Sequence, residues 1–133
     1  MQDPKHLLPS QVERSVVLIA EDDVMVRNMA CIALEDEGYL VLSAGDGEQA
    51  LSLSRQFPGT IHALLSDVKM PNLDGLELRK TILTERPGIK VLLMSGYTES
   101  PVENIPVLSK PFVAGVLTQR MRELLAPTAS DPA

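Results

Sequence analysis

Five short apolar segments recur along the chain, and their lack of polar alternation constrains the fold more than any other feature. The first, VVLIA at 16–20, is rich in β-branched residues and contains no polar side chain. Such a segment is typical of a strand buried on both faces, as in a parallel sheet covered by helices. The remaining predicted strands are YLVLSA (39–44), IHALLS (61–66), IKVLLMS (89–95) and a weaker IPVLS (105–109).

Amphipathic segments separate the predicted strands. Val26, Ala30 and Ala33 share one helical face, with Met29 beside them, and Gly38 is suited to end that helix. Strands that alternate with helices predict an α/β fold, in which right-handed crossovers cover both faces of one parallel sheet.

The ends of the later helices carry recognisable signals. Asp46 is suited to cap a helix that runs to about residue 57, and RPG stops a helix predicted over 74–86. A last helix is predicted over 112–125, with one apolar stripe formed by Val113, Val116, Leu117, Met121 and Leu124.

Length and composition indicate one globular domain. The chain has 133 residues, 44% of them hydrophobic and 23% charged, which is ordinary for a folded domain. We expect a flexible N-terminal segment over 1–14, the folded domain over 15–125 and a flexible tail over 126–133. The single cysteine, Cys31, the absence of a visible secretory signal and the lack of a long apolar run predict a cytoplasmic, non-membrane protein. A net charge of -6 argues against direct nucleic-acid binding.

Polar side chains cluster in the sequence where predicted strands end. Glu21, Asp22 and Asp23 follow the first strand and Asp67 follows the third. Ser95 and Lys110 end the fourth and fifth strands. Since the carboxyl ends of parallel strands meet at one edge of a sheet, we expect these side chains to converge.

This set of residues suits phosphoryl chemistry. Clustered carboxylates without His or Cys favour a hard cation, Mg²⁺ or Mn²⁺, whose open positions go to water or phosphate oxygens. A lysine and a hydroxyl suit the oxygens of a phosphoryl group in transfer. Asp67, which stands alone at its strand end, is the candidate nucleophile and would form an acyl phosphate.

Four segments together resemble the receiver domain of two-component response regulators, a CheY-like superfamily. These are VLIAEDD, LLSDVKMPNLDGLEL, LLMSGYTE and LSKPF, which occur in this order over roughly residues 15–125. The resemblance implies a flavodoxin-like fold, with five parallel strands and flanking helices. It also implies a phosphorelay role, in which a histidine kinase or histidine phosphotransfer protein donates a phosphoryl group and the domain switches a partner-binding surface.

The resemblance assigns the acidic residues. Asp67 would be the phosphoacceptor and, with Asp22 and the main-chain carbonyl of Lys69, a direct Mg²⁺ ligand. Glu21 would act through bound water, whereas Asp23 falls at a position that is not normally a ligand and is suited to capping the following helix.

The resemblance also assigns the remaining site residues. Lys110 would contact the phosphoryl group, and the Lys110–Pro111 bond is expected to be cis. Ser95 corresponds to the family's Thr or Ser, whose hydroxyl turns inward on phosphorylation. Gly96 beside it would leave the phosphoryl site open to water and to a partner histidine.

Two departures concern the switch that follows phosphorylation. Only 14 residues separate Ser95 from Lys110, and Pro101 and Pro106 lie among them. We therefore expect the family's fourth helix to be shortened or absent, as in many receivers of hybrid histidine kinases. Val107 occupies the position that usually holds the aromatic switch residue. Since few residues follow 125, we expect the output to lie in another protein or elsewhere in a longer chain.

Two alternatives remain open. A phosphatase that uses an aspartyl phosphate is disfavoured, because such enzymes place an acid two residues after the nucleophile and this chain has Lys69 there. A pseudo-receiver, which binds partners without carrying phosphate, is disfavoured because the acidic pair and the lysine are all present. The prediction is thus a signalling domain that takes part in its own phosphorylation and dephosphorylation.

Overall fold

The computed structural model describes residues 14–96 and 105–127. Strands and helices alternate through these residues, as the apolar pattern predicts. The elements are β1 (Val16–Ala20), α1 (Val24–Asp36), β2 (Leu40–Ala44), α2 (Gly47–Gln56), β3 (Ala63–Asp67), α3 (Gly75–Glu85), β4 (Lys90–Ser95), β5 (Val107–Ser109) and α4 (Ala114–Leu125).

All five strands form one parallel sheet in the order β2-β1-β3-β4-β5. This is the flavodoxin-like, doubly wound order, so the predicted fold class is confirmed. From β1 the chain adds β2 on one side, and it then adds β3, β4 and β5 on the other side, so the strand order reverses between β1 and β3. The carboxyl ends of these two strands therefore flank a crevice where polar residues can gather.

Side chains of alternate strand residues build a separate core on each face of the sheet. On one face, Val17 and Ile19 of β1 pack with Leu34 of α1 and with Leu117 and Met121 of α4. On the other face, α2 and α3 cover the sheet, and the buried residues include Leu18, Leu64, Ala50, Leu78 and Ile82. Full burial of each large side chain contributes about 1.5–3 kcal/mol, which fixes the strand ends against the helices.

Three aspartates begin three of the helices. The Asp23 carboxylate accepts hydrogen bonds from the N–H groups of Met25 and Val26 at the start of α1. Asp46 and Asp74 cap α2 and α3 in the same way. The capping roles predicted for Asp23 and Asp46 are confirmed, and Gly38 follows α1 at φ +100°, a conformation that favours glycine.

Two details differ from the sequence-based expectations. Asp67 is the last residue of β3 rather than the first after it. The predicted apolar stripe of the last helix is wrong at its start, because Val113 precedes α4 as its cap residue and is 68% exposed, and Val116 is 43% exposed. Leu117 and Met121 are buried as predicted.

The described residues contain four helices, in agreement with the expected shortening of the family's fourth helix. That prediction concerned residues 97–104, including Pro101, which lie outside the described ranges, as do 1–13 and 128–133 of the predicted terminal segments. Within the described ranges, no helix combines the length and the apolar character that crossing a membrane requires.

Candidate functional site

Three carboxylates meet at the carboxyl edge of the sheet. Glu21 directly follows β1 and is fully buried, Asp67 ends β3 and is 8% exposed, and Asp22 is exposed. One oxygen from each lies within 4.8 Å of the others. The convergence predicted from the strand ends is therefore present in the structure.

Backbone hydrogen bonds hold this edge in place beyond the strands themselves. The N–H of Glu21 donates to the carbonyl of Ala44 at 3.1 Å, and the N–H of Val68 donates to the carbonyl of Met94 at 2.9 Å. Both bonds continue the ladders of the sheet by one residue. The backbone that carries Glu21 and Asp67 is thus as firmly held as the strands.

Lys110 pairs with two of the carboxylates. Its Nζ lies 2.7 Å from Oε1 of Glu21 and 2.9 Å from Oδ2 of Asp67, and its side chain is 21% exposed. The N–H of Lys110 donates to the carbonyl of Ser95, which fixes the residue beside β4. The Lys110–Pro111 peptide bond is cis, as predicted.

Burial and pairing shift the pKa values of this pair. Burial raises the pKa of Glu21 to about 7, with a smaller contribution from Asp67, although Lys110 and the N–H of Asp23 act in the opposite direction. Burial alone would lower the pKa of Lys110, but hydrogen bonding and charge interactions with Glu21 and Asp67 outweigh it and raise that pKa. The lysine is therefore a permanent cation in the site.

The donor set fits a hard divalent cation. The cluster of Glu21, Asp22 and Asp67 offers carboxylate oxygens alone, which Mg²⁺ and Mn²⁺ prefer and zinc does not. Asp22 is exposed, so an ion held there would keep positions open to water or phosphate. Lys69 has an exposed side chain, and the role predicted for its carbonyl remains a prediction.

Ser95 and Gly96 stand at the end of β4, next to the lysine. Ser95 is 5% exposed, and its hydroxyl donates to the carbonyl of Gly96 at 3.1 Å. It pairs in register with Ser109, the residue before Lys110. Val107 is half-buried in β5, in register with Leu93. These positions agree with the predicted phosphoryl and switch roles without testing them.

The turn after β3 brings a helix against the acidic edge. Asn72 adopts a positive φ of 71°, and the N–H of Gly75 donates to the carbonyl of Val68 at 2.8 Å. A Cβ atom at Gly75 would lie 2.0 Å from the carbonyl oxygen of Asp67. Gly75 therefore permits an approach of α3 to β3 that any other residue would prevent.

Arg27 of α1 is a site neighbour that the sequence reasoning missed. Its Nη1 donates a hydrogen bond of 2.7 Å to the carbonyl of Glu21. The helix dipole disfavours a cation in the first turn of a helix. An arginine in that turn therefore indicates that its side chain has a specific partner.

Exposed apolar side chains surround the acidic edge. Val24 and Met25, at the start of α1, are 55% and 81% exposed, and Val113 before α4 is also exposed. A cavity of about 360 Å³ lies between the start of α1 and the segment before α4; it is lined by Asp23, Val26, Met29, Gly96, Lys110, Pro111 and Phe112. The acidic site thus opens onto a partly apolar surface.

Fold and site together define a flavodoxin-like α/β protein with a lysine-neutralised acidic cluster at the switch point of its sheet. The model of the response regulator receiver domain family matches residues 17–122, and the chain belongs to that family. It is therefore a receiver domain of the two-component type, for which phosphorylation and Mg²⁺ binding are general features.

Individual relatives agree with this assignment. The chain is 34% identical over 118 residues to the sensor kinase CckA of Brucella abortus, covering 84% of this chain but 12% of the kinase. It is 32% identical over 116 residues to the response regulator receiver protein CpdR of the same organism, covering 82% of this chain and 95% of CpdR. The crystal structure of the receiver domain from the hybrid histidine kinase CckA matches with a TM-score of 0.69 and 34% identity, over 84% of this chain and all of that one.

Proposed function

We propose that Asp67 is the phosphoacceptor of this receiver domain. The observation that carries the proposal is the contact of a single ammonium group, that of Lys110, with both Asp67 and Glu21 at distances of 2.9 and 2.7 Å. An ammonium group in this position can stay beside Asp67 while its carboxylate becomes an acyl phosphate. The neighbouring carboxylates of Glu21 and Asp22 can accommodate the metal ion that phosphoryl transfer requires.

The chemistry is a transfer from nitrogen to oxygen. A carboxylate oxygen of Asp67 attacks the phosphorus of a phosphohistidine, the P–N bond breaks as the P–O bond forms, and the released imidazole takes a proton from solvent. Lys110 contacts a phosphoryl oxygen, and the hydroxyl of Ser95 donates to another. Mg²⁺, when bound, neutralises charge on the phosphoryl oxygens, and Asp22, Asp67 and the carbonyl of Lys69 would hold it, with Glu21 acting through water.

The proposed donor is a histidine kinase or a histidine phosphotransfer protein that carries the phosphohistidine. The apolar residues Val24, Met25 and Val113 are exposed around the acidic edge, where an approaching protein would bury them. A small phosphodonor would not need such a surface. Residues 15–125 would form the unit that docks and switches its partner-binding surface.

The decisive experiment is phosphorylation with a small donor. The protein is incubated with acetyl phosphate and MgCl2, and the intact mass and the modified peptide are measured. We expect one phosphoryl group, stable to acid and labile to base, on Asp67. Asp67→Asn should abolish it, whereas Asp46→Asn should not, because that residue caps α2 and asparagine caps equally well.

Other outcomes point to the alternatives. A wild-type protein that acquires no phosphoryl group and does not bind beryllofluoride would be a pseudo-receiver. Sustained turnover of a phosphate ester would instead indicate a phosphatase. A phosphoryl group at another residue, with Asp67→Asn still modified, would contradict the proposed assignment.

A further inference from the structure

Arg27 connects two loops at the carboxyl edge of the sheet. Its Nη1 donates to the carbonyl of Glu21 at 2.7 Å, which is the shortest side-chain bond to the backbone of the β1–α1 loop in the described ranges. Because Arg27 lies on α1 and Glu21 directly follows β1, this bond ties the helix back to the strand end from which the acidic residues emerge.

The guanidinium group of Arg27 also lies over the β2–α2 loop. A Cβ atom at Gly45 would lie 3.3 Å from Nη1 and 3.9 Å from the guanidinium carbon. The missing side chain of Gly45 therefore leaves space for the arginine. The N–H of Gly45 donates to Oε1 of Gln49, so this loop is itself held against α2.

The hydrogen bond from Arg27 fixes the peptide group between Glu21 and Asp22. That peptide separates a fully buried carboxylate from an exposed one, so its orientation decides where each side chain points. The N–H of Asp23 donates to Oε2 of Glu21 at 2.9 Å and depends on the same local geometry. A rotated peptide would disturb both features together.

We propose that Arg27 is a positioning residue, which aligns the carboxylates of Glu21 and Asp22 for a divalent cation through the carbonyl of Glu21. The inference rests on the proposed metal-dependent function of this cluster. Arg27 itself is not a ligand, since a guanidinium group offers no acceptor atom.

Charge and positioning predict opposite effects of removing Arg27. A cation near carboxylates opposes Mg²⁺ binding, so charge alone predicts tighter binding when the arginine is replaced by a neutral residue. Positioning predicts weaker binding, because the carboxylates lose their fixed alignment. The sign of the change therefore distinguishes the two.

The experiment compares Arg27→Met with Arg14→Met. Arg14 also donates to backbone carbonyls, those of Gly38 and Tyr39, but at the opposite edge of the sheet, and its replacement removes the same charge. MgCl2 is titrated into each protein and followed by amide NMR shifts. The hydrogen-exchange rate of the Asp23 amide is measured by NMR on each protein without metal.

We expect Arg27→Met to bind Mg²⁺ about fivefold more weakly than wild type and to exchange the Asp23 amide about tenfold faster, the size of one hydrogen bond to a charged group. Arg14→Met should match wild type in both. Equal or tighter Mg²⁺ binding by Arg27→Met, with unchanged exchange, would overturn the proposal.

If Arg27→Met does not fold, the same measurements on Arg27→Lys decide, since lysine keeps the charge but lacks the planar fork of donors; unchanged values would count against the proposal. If the wild type binds no Mg²⁺, the proposed function fails, while the Asp23 exchange rate still tests whether Arg27 orders the loop.

Discussion

The ammonium nitrogen of Lys110 lies 2.9 Å from Oδ2 of Asp67, a residue 43 positions earlier in the chain. This contact joins the end of β5 to the end of β3 across the intervening β4. Because Glu21 contacts the same ammonium group, one lysine lies between two carboxylates and reduces the repulsion between them. A change in the charge of Asp67 would therefore act directly on Lys110, the residue that follows β5.

Replacing Lys110 by methionine should strengthen Mg²⁺ binding. Without the ammonium group, Glu21 and Asp67 lose their countercharge, and a divalent cation no longer competes with a fixed positive charge. We expect affinity to rise about tenfold, and the metal-free protein to lose about 1–3 kcal/mol of unfolding free energy, because a buried carboxylate is left unpaired. Phosphorylation by acetyl phosphate should slow. An NMR titration with MgCl2 and urea unfolding measure these effects.

Lys90→Met is the matched control for this experiment. Lys90 is exposed at the start of β4, at the opposite end of the strand from Ser95, and its replacement removes the same charge. Mg²⁺ affinity should stay within about twofold of wild type, since exposed charges this far away are screened. Equal affinity gains in both variants would show that net charge, rather than the Lys110 contacts, controls metal binding.

Stability of the metal-free protein should decrease between about pH 5 and pH 7.5. Burial raises the pKa of Glu21 to about 7, above its ordinary 4.5. The folded state therefore binds a proton that the unfolded state releases in this range, so the contribution to stability is present below pH 4.5 and is lost as pH rises through 7. The loss should reach up to about 3 kcal/mol, measured by urea unfolding in EDTA.

Glu21→Gln should flatten this pH profile, because glutamine does not titrate. The control is Glu35→Gln, on the exposed face of α1, which should keep the slope of the wild type. A slope that survives in Glu21→Gln would assign the pH dependence to another group.

Much of this site could be predicted from the sequence, because it depends on where strands end. The convergence of Asp67, Asp22 and Lys110 follows from the parallel topology alone, since that topology brings all carboxyl ends to one edge. The sharing of Lys110 between Glu21 and Asp67 could not be predicted. It depends on side-chain directions at the edge, which hydrophobic periodicity does not specify.

The failures of prediction also have physical causes. Val113 and Val116 match the period of the apolar stripe, but α4 begins only at Ala114, so its first turn extends past the sheet into solvent. Arg27 and Arg86 were missed because most of their partners are backbone carbonyls. From the sequence, Arg86 was interpreted only as part of the RPG segment that ends a helix. In the structure, its guanidinium group donates hydrogen bonds to the carbonyls of Ser54, Phe57 and Gly59. The position of Arg27 in the first turn of α1 indicates that it has a partner, but which backbone carbonyl an arginine reaches leaves no pattern in the sequence.

Gly75→Ala should destabilise the protein by about 1–3 kcal/mol. The added Cβ would lie 2.0 Å from the carbonyl oxygen of Asp67, so α3 or the end of β3 must shift. Because Asp67 belongs to that end, phosphorylation by acetyl phosphate should slow as well. Urea unfolding and the rate of mass change measure the two effects.

Gly115→Ala provides the matched control. Gly115 lies in the first turn of α4, is exposed, and would place its new Cβ within 4 Å of nothing. Alanine is the better helix former by about 1 kcal/mol, so this variant should be slightly more stable than wild type and phosphorylate normally. Equal destabilisation by both substitutions would contradict a special steric role for Gly75.

Met25→Ser should slow phosphorylation by a protein donor while leaving acetyl phosphate unaffected. Met25 is 81% exposed at the start of α1, next to the acidic edge, and does not contribute to either core. If a complex buries the Met25 side chain, its loss should raise the apparent KM for a phosphorylated histidine phosphotransfer protein about tenfold. A small donor never contacts this side chain. Leu40→Ser is the control, since Leu40 is 36% exposed at the amino end of β2, far from the site. If Met25→Ser slows phosphorylation equally with both donors, the substitution acts on the reactivity of Asp67 rather than on docking. If Met25→Ser and Leu40→Ser slow phosphorylation equally, the start of α1 has no docking role.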